Sequence, residues 1–133
     1  MKTIVMTVLT VIAFCRPCIG QTSTGGGRCF ELRTYTVAQG KLDALHRRFE
    51  NHAIGLFRKH HIDVIAFWIP ADRPGTLMYM LAHPTCDAAP SAWKAFFEDP
   101  EWISARDASE KDGPLVTKVE KVFMTPTPYS PLK

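Results

Sequence analysis

Four of the chain's five histidines lie in one short segment, HRRFENHAIGLFRKHH, which runs from His46 to His61. Imidazole side chains can bind a transition metal or transfer a proton near neutral pH. Two metal ligands on one face of a helix need a spacing of three or four residues. The spacings here are six between His46 and His52, eight between His52 and His60, and one between His60 and His61. The segment therefore predicts no metal site.

His52 is the histidine with the strongest case for chemistry. His46 and His60 both fall near the apolar stripe of the predicted helix, but about 21 Å apart along its axis, which is too far for one site. His52 lies on the flank of that stripe. Two interpretations stay open: a partly buried histidine held by a hydrogen bond, or an acid or base beside a pocket.

A second group of polar side chains lies on a predicted strand. Glu31, Arg33 and Tyr35 alternate along CFELRTYTV, so they share one face. They form either an ion pair at a surface or interface, or groups that orient a polar ligand in a cavity. Trp68 and Tyr79, on later strands, are either walls of such a cavity or ordinary core residues.

Other catalytic motifs do not occur. There is no nucleophile elbow, and Gly25-Gly26-Gly27 belongs to a linker rather than to a phosphate-binding loop. Cys15 and Cys18 have metal-binding spacing, but they lie in the predicted signal peptide. We therefore expect neither a metal nor a cofactor.

The order of predicted elements places these residues in a known architecture. Apolar periodicity and turn residues predict strands at 29–37, 62–70, 76–83 and 116–124, and helices at 41–60 and from 87 onward, the second restarting at Asp99-Pro100. This β-α-β-β-α-β order predicts an α+β, ferredoxin-like fold.

The second and third strands are apolar on both faces, although helices can cover only one face of such a sheet. Val64, Ala66 and Trp68 alternate with Ile65, Phe67 and Ile69. A second copy of the domain, packed sheet to sheet, would cover the other face. We therefore expect a homodimer.

The same topology brings two cysteines to one end of the sheet. Because the first and third strands are antiparallel neighbours, Cys29 at the start of one lies near Cys86 after the other. The sequence is compatible with a disulfide between them and with two free thiols.

The N-terminal segment indicates export. Lys2 precedes a short apolar run that ends before Gly20, as in a cleaved signal peptide at residues 1–20. Residues 21–28 are predicted to be a flexible linker and residues 29–131 the folded domain. We expect a periplasmic or secreted protein without stable membrane insertion after cleavage.

The charge of the mature chain argues against nucleic acid as a partner. Cleavage after Gly20 removes two of the 16 basic residues and none of the 13 acidic ones, which leaves a formal charge of +1. Proteins that bind nucleic acid generally carry a strong basic excess.

Eight segments, in order along the chain, carry a family resemblance: ELRTY, GKLDALHRRFENH, LFRKHHI, the FW pair, LMYMLAH, AWKAFFEDPEW, SEKDGPLV and YSP. Together they resemble the NIPSNAP family over roughly Phe30 to Pro131. One departure is His61, which stands where the family motif has glycine. If that position needs a positive φ, histidine is strained there.

The resemblance implies a dimeric α+β barrel and no settled reaction. We expect a homodimer that binds a small ligand or a partner. One alternative is a cofactor-independent monooxygenase or isomerase with a pocket between the sheet and the helices, because the related barrel superfamily includes such enzymes. His52 would then be the acid or base, Glu31 and Arg33 would orient the substrate, and Trp68 and Tyr79 would form the walls of the pocket. A second alternative is a protein-interaction module without a ligand pocket.

Overall fold

A computed structural model describes residues 27–133, and the predicted signal peptide and most of the linker lie outside the described residues. The elements follow the predicted order and are β1 (Cys29–Val37), α1 (Leu42–Arg48), a π-helical segment (Phe49–Ala53), α2 (Ile54–Lys59), β2 (Asp63–Trp68), β3 (Thr76–His83), α3 (Ala89–Glu98), α4 (Pro100–Ser109) and β4 (Val116–Met124).

The four strands form one antiparallel sheet in the order β2-β3-β1-β4. This arrangement confirms the predicted ferredoxin-like α+β fold. The helices pack on one side of the sheet, where Leu77, Tyr79 and Leu81 of β3 join the buried core. The opposite side of the sheet has no helix packed on it within residues 27–133, and we call it the free face.

Several aromatic side chains pack together between the sheet and the helices. Phe57 of α2 stacks on Phe96 of α3, with 4.9 Å between ring centroids, and Phe49 meets Tyr79 edge to face at 5.2 Å. Such contacts add about 0.5–1.5 kcal/mol each beyond the burial of apolar area. The helix side of β3 is therefore tightly packed.

A β-bulge in β2 changes which of its side chains face the helices. Val64 pairs with Leu81 and Phe67 with Tyr79, so both lie on the helix side of the sheet. Strict alternation, which placed Val64 and Phe67 on opposite faces, was wrong here. The extra residue of the bulge, Ile65, reverses the alternation between them.

The first helical region is interrupted rather than uniform. The prediction of one helix over 41–60 missed a π-helical turn, in which the amide of Ile54 donates to the carbonyl of Phe49. The predicted restart at Asp99 is confirmed, because its carboxylate accepts a hydrogen bond of 2.9 Å from the amide of Glu101 as the N-cap of α4.

The end of α2 explains the departure at His61. The amide of His61 donates to Arg58 at 3.2 Å, and the amide of Ile62 donates to Phe57 at 2.8 Å. These two bonds form a Schellman motif, whose C′ residue adopts the left-handed conformation and is usually glycine. His61 has a φ of 58°. In this left-handed conformation its β-carbon lies too close to the following carbonyl oxygen, a contact that glycine avoids.

Replacing His61 with glycine should raise the free energy of unfolding by about 1 kcal/mol, because glycine reaches this φ without steric cost. Chemical denaturation of the wild type and His61→Gly would measure the difference. His61→Ala is the matched control, since it removes the imidazole and keeps the strain. An equal gain in the alanine variant would show that the side chain, and not the backbone, is responsible.

Candidate functional site

The most unusual site in the sheet is a buried cluster of polar side chains centred on Glu31. Both carboxylate oxygens of Glu31 have partners: Oε1 accepts from Arg33 at 3.0 Å, and Oε2 lies 2.8 Å from Nε2 of His83 and accepts from the indole of Trp93 at 2.7 Å. Glu31 has no exposed surface and His83 almost none. A carboxylate is stable in such a place only with this kind of compensation.

Arg33 connects the cluster to the aromatic residues around it. Its guanidinium carbon lies 4.1 Å from the centroid of the Trp93 ring and 5.7 Å from that of Tyr35. A cation over a ring face is attracted by the ring quadrupole, most strongly where water is excluded. Its Nε atom is buried and has no hydrogen-bond partner among residues 27–133. The guanidinium is therefore fixed in place by Glu31 and Trp93 together.

The surroundings of Glu31 keep it ionised. Burial alone would raise the pKa of its carboxyl group, but the hydrogen bonds from His83 and Trp93, with the charge of Arg33, outweigh that effect and hold the pKa below the ordinary value of 4.5. The cluster therefore contains a carboxylate at neutral pH.

Tyr35 and Tyr79 continue the same face of the sheet. The hydroxyl of Tyr79 donates to the hydroxyl of Tyr35 at 2.7 Å, and the rings meet edge to face at 5.1 Å. Burial raises the pKa of Tyr79 well above its ordinary value, which keeps its proton in place. The structure thus brings together Glu31, Arg33, Tyr35 and Tyr79, four of the residues that the sequence suggested for ligand contact.

Two members of the cluster were not predicted, His83 and Trp93. The sequence did contain an indication for His83. Tyr79, Leu81 and His83 alternate along β3 and therefore share one face, and Leu81 pairs with Glu31 in the sheet. Trp93 belongs to α3, and no local pattern says which strand a helical residue will reach. Nδ1 of His83 is buried, and no atom of the described residues forms a hydrogen bond with it.

Trp68 lies on the other side of the sheet. It pairs with Met78, whose side chain points to the free face, and 48% of Trp68 is exposed. It does not join Tyr79 in the wall of one cavity, because the two residues are on opposite faces of the sheet.

His52 is separate from the Glu31 cluster and from Trp68 on the free face. It lines an open groove of about 410 Å³ between the α1 and π-helical region and α4. Its side chain is exposed and has no hydrogen bond to the Glu31 cluster within residues 27–133. The structure therefore does not place an acid or base at His52 within reach of Arg33 and Glu31.

Cys29 and Cys86 are joined by a disulfide, with their Cα atoms 4.9 Å apart. Cys29 is buried at the start of β1 and pairs in the sheet with His83. The bond therefore fastens the end of the sheet at which Glu31 and His83 meet.

The Glu31 cluster is packed rather than open. Grooves of about 190–410 Å³ occur on the surface formed by residues 27–133, and none of these is lined by Glu31, Arg33, His83 or Trp93. Within the same residues no three His, Cys, Asp or Glu side chains are grouped to hold a metal ion. No helix there has the length and apolar character of a membrane span.

A protein-family model matches almost the whole described part of this chain. The family model described as NIPSNAP matches residues 30–131. This chain belongs to the NIPSNAP family. The resemblance seen in the sequence is thereby confirmed. No curated protein sequence matches the chain significantly.

Solved structures of other NIPSNAP proteins share the fold. A NIPSNAP family protein of unknown function from Agrobacterium tumefaciens superposes with a TM-score of 0.70 at 22% identity, covering 81% of this chain and 96% of that one. A NIPSNAP-like domain protein from Burkholderia xenovorans gives 0.69 at 16% identity, with coverages of 81% and 93%. At these identities the likeness concerns the fold alone.

A more distant likeness extends beyond the family. SnoaB, a cofactor-independent oxygenase from Streptomyces nogalater, superposes with a TM-score of 0.55 at 14% identity, covering 78% of this chain and 97% of SnoaB. NIPSNAP domains and this oxygenase therefore share the ferredoxin-like α+β architecture.

Proposed function

We propose that this NIPSNAP protein is an exported homodimer that binds a small apolar ligand between its two sheets. The observation that carries the proposal is the free face of the sheet, which bears apolar side chains of four strands. Trp68 is 48% exposed and Val122 55% exposed. Further apolar side chains of this face are half-buried, among them Leu32, Ala66, Met78 and Met80.

A second copy is the partner that best fits this face. Exposed apolar side chains grouped on one surface often mark an interaction site. A symmetric contact presents the same surface from both subunits, so an apolar sheet face can pack against its own copy. Sheet-to-sheet packing would cover Trp68 and Val122 and leave the helices on the outside.

The ligand site of this proposal lies at one end of the free face. Phe30, Met80 and Met124 line a cavity of about 240 Å³ with the C-terminal tail, which contributes Pro126 and Leu132. The lining is largely apolar, and methionine side chains adapt to ligands of irregular shape. The second sheet of a homodimer would roof this cavity.

Export is supported by two features. Lys2 and the apolar run before Gly20 have the pattern of a signal peptide. The Cys29–Cys86 disulfide belongs to an oxidising compartment, because thiols remain reduced in the cytosol of most organisms.

Native mass spectrometry of the mature protein, purified from its own host at micromolar concentration, tests the proposal. We expect a dimer that carries a reproducible small-molecule mass. Trp68→Glu should give a monomer without that mass, because a buried unpaired carboxylate at the contact would be strongly unfavourable.

Ile103→Glu is the matched control, since Ile103 is an exposed apolar residue of α4, outside the free face. This variant should remain a dimer. A monomeric wild type would refute the homodimer, and a dimeric Trp68→Glu would refute the sheet-to-sheet contact. A dimer that never carries an added mass would refute the ligand site and favour an interaction module.

A further inference from the structure

The groove that contains His52 combines basic and amide side chains with alanines. It lies between two helical regions and is lined by Ala44, Arg47, Arg48, Asn51 and His52 on one side and by Ala105, Ala108 and Ser109 on the other. Its volume of about 410 Å³ lies within the range of small-molecule sites. No carboxylate is among these lining residues.

The hydrogen-bond donors of this groove divide into those already paired and those that are free. Nη1 of Arg48 donates to Glu110 at 2.7 Å and to Ser109 at 3.3 Å, and its guanidinium lies 5.2 Å from the ring centroid of Trp102. Arg48 is thus neutralised and fixed. Arg47, Asn51 and His52 have no side-chain hydrogen bond or ion pair among residues 27–133 and are exposed to solvent.

The backbone places these three free side chains side by side. Arg47 and Asn51 are four residues apart and form one row on the helix surface. Arg48 and His52 have the same spacing and form the adjacent row. The π-helical turn Phe49–Ala53 begins between the members of both rows. Such turns cost stability and occur often at functional sites. Opposite them, Ala105 and Ala108 have short side chains, so a ligand can approach the backbone of α4.

We propose that this groove binds the anionic group of a small organic ligand, a phosphate or a carboxylate, through Arg47, Asn51 and His52. A guanidinium and an amide can together donate several hydrogen bonds to such a group, and bonds from a charged donor are the stronger kind. The alanines leave room for the apolar part of the ligand. The groove lies among the helices, away from the free face, so it would stay open in the proposed homodimer and does not depend on it.

NMR titration of the full mature protein tests this site, with inorganic phosphate and acetate as the probes and sodium chloride at matched ionic strength as the reference. We expect saturable shifts of the Asn51 side-chain amide and of the His52 ring protons. Arg47→Ala should weaken the binding by about tenfold, because one charge-assisted contact is lost. Saturation by phosphate alone or by acetate alone would identify which anion the groove accepts.

Arg58→Ala is the matched control. Arg58 is also an exposed arginine without an ion pair among residues 27–133, and it lies on α2 outside the groove. This variant should bind as the wild type does. The proposal is refuted if neither anion gives saturable shifts beyond those of chloride, or if Arg58→Ala weakens binding as much as Arg47→Ala.

Discussion

Replacing Glu31 with alanine should lower the free energy of unfolding by about 3–5 kcal/mol, the usual cost of removing one partner from a buried ion pair. The alanine would leave Arg33 buried beside Trp93 without a counter-charge, and the indole of Trp93 and Nε2 of His83 would lose their acceptor. Urea denaturation followed by circular dichroism would measure the change.

Glu98→Ala is the control for this experiment. Glu98 pairs with Lys94 on the exposed side of α3, where ion pairs contribute no more than about 1 kcal/mol. A loss at Glu31 no larger than the loss at Glu98 would mean that the cluster contributes little to stability.

The stability that Glu31 contributes to the folded protein should depend on pH. Because the pKa of Glu31 in the folded protein lies below its ordinary value of 4.5, the folded state binds a proton less readily than the unfolded state does. The stability from Glu31 is therefore present above pH 4.5 and is lost as the pH falls through the pKa of the folded state. Glu31→Gln, which cannot titrate, should lose less stability than the wild type between neutral pH and this acidic range.

Removing the Cys29–Cys86 disulfide should have an effect of similar size. The bond closes a loop with a sequence separation of 57 residues. The chain-entropy model gives about 4 kcal/mol for a loop of this length, through restriction of the unfolded chain. The double variant Cys29→Ala with Cys86→Ala should be less stable than the wild type by this amount in urea.

Reduction provides the control, because it opens the bond without changing a side chain. Dithiothreitol should lower the urea midpoint of the wild type and leave the double variant unchanged. If the intact mass of the non-reduced wild type showed two free thiols, the disulfide itself would be refuted. Because Cys29 pairs in the sheet with His83, loss of the bond should also loosen the contact between His83 and Glu31.

The proposed functions place ligands at two surfaces and leave the Glu31 cluster with a structural role. An oxygenase or isomerase acting between the sheet and the helices would need an open cavity beside Arg33, with a proton donor facing it. The structure instead packs Trp93 over Arg33 at 4.1 Å and places His52 in a separate groove. Activity at the cluster would therefore require movement of Trp93.

The amino-acid sequence by itself determined the local structure and much of the site. Alternation along β1 predicted that Glu31, Arg33 and Tyr35 share a face, because successive side chains of a strand point to opposite sides. Asp99 followed by proline predicted the start of α4, since a cap needs only residues close in the chain. The family motif also singled out His61, because the motif has glycine there and glycine is common where φ is positive.

Only the tertiary structure decided which distant residues meet. His83 is 52 residues from Glu31 and Trp93 is 62 residues away, and their contacts depend on strand register and on where α3 crosses the sheet. A single bulged residue in β2 moved Phe67 to the helix side with Tyr79, while Trp68 faces away. Register and bulges arise from the packing of whole elements, which local periodicity does not contain.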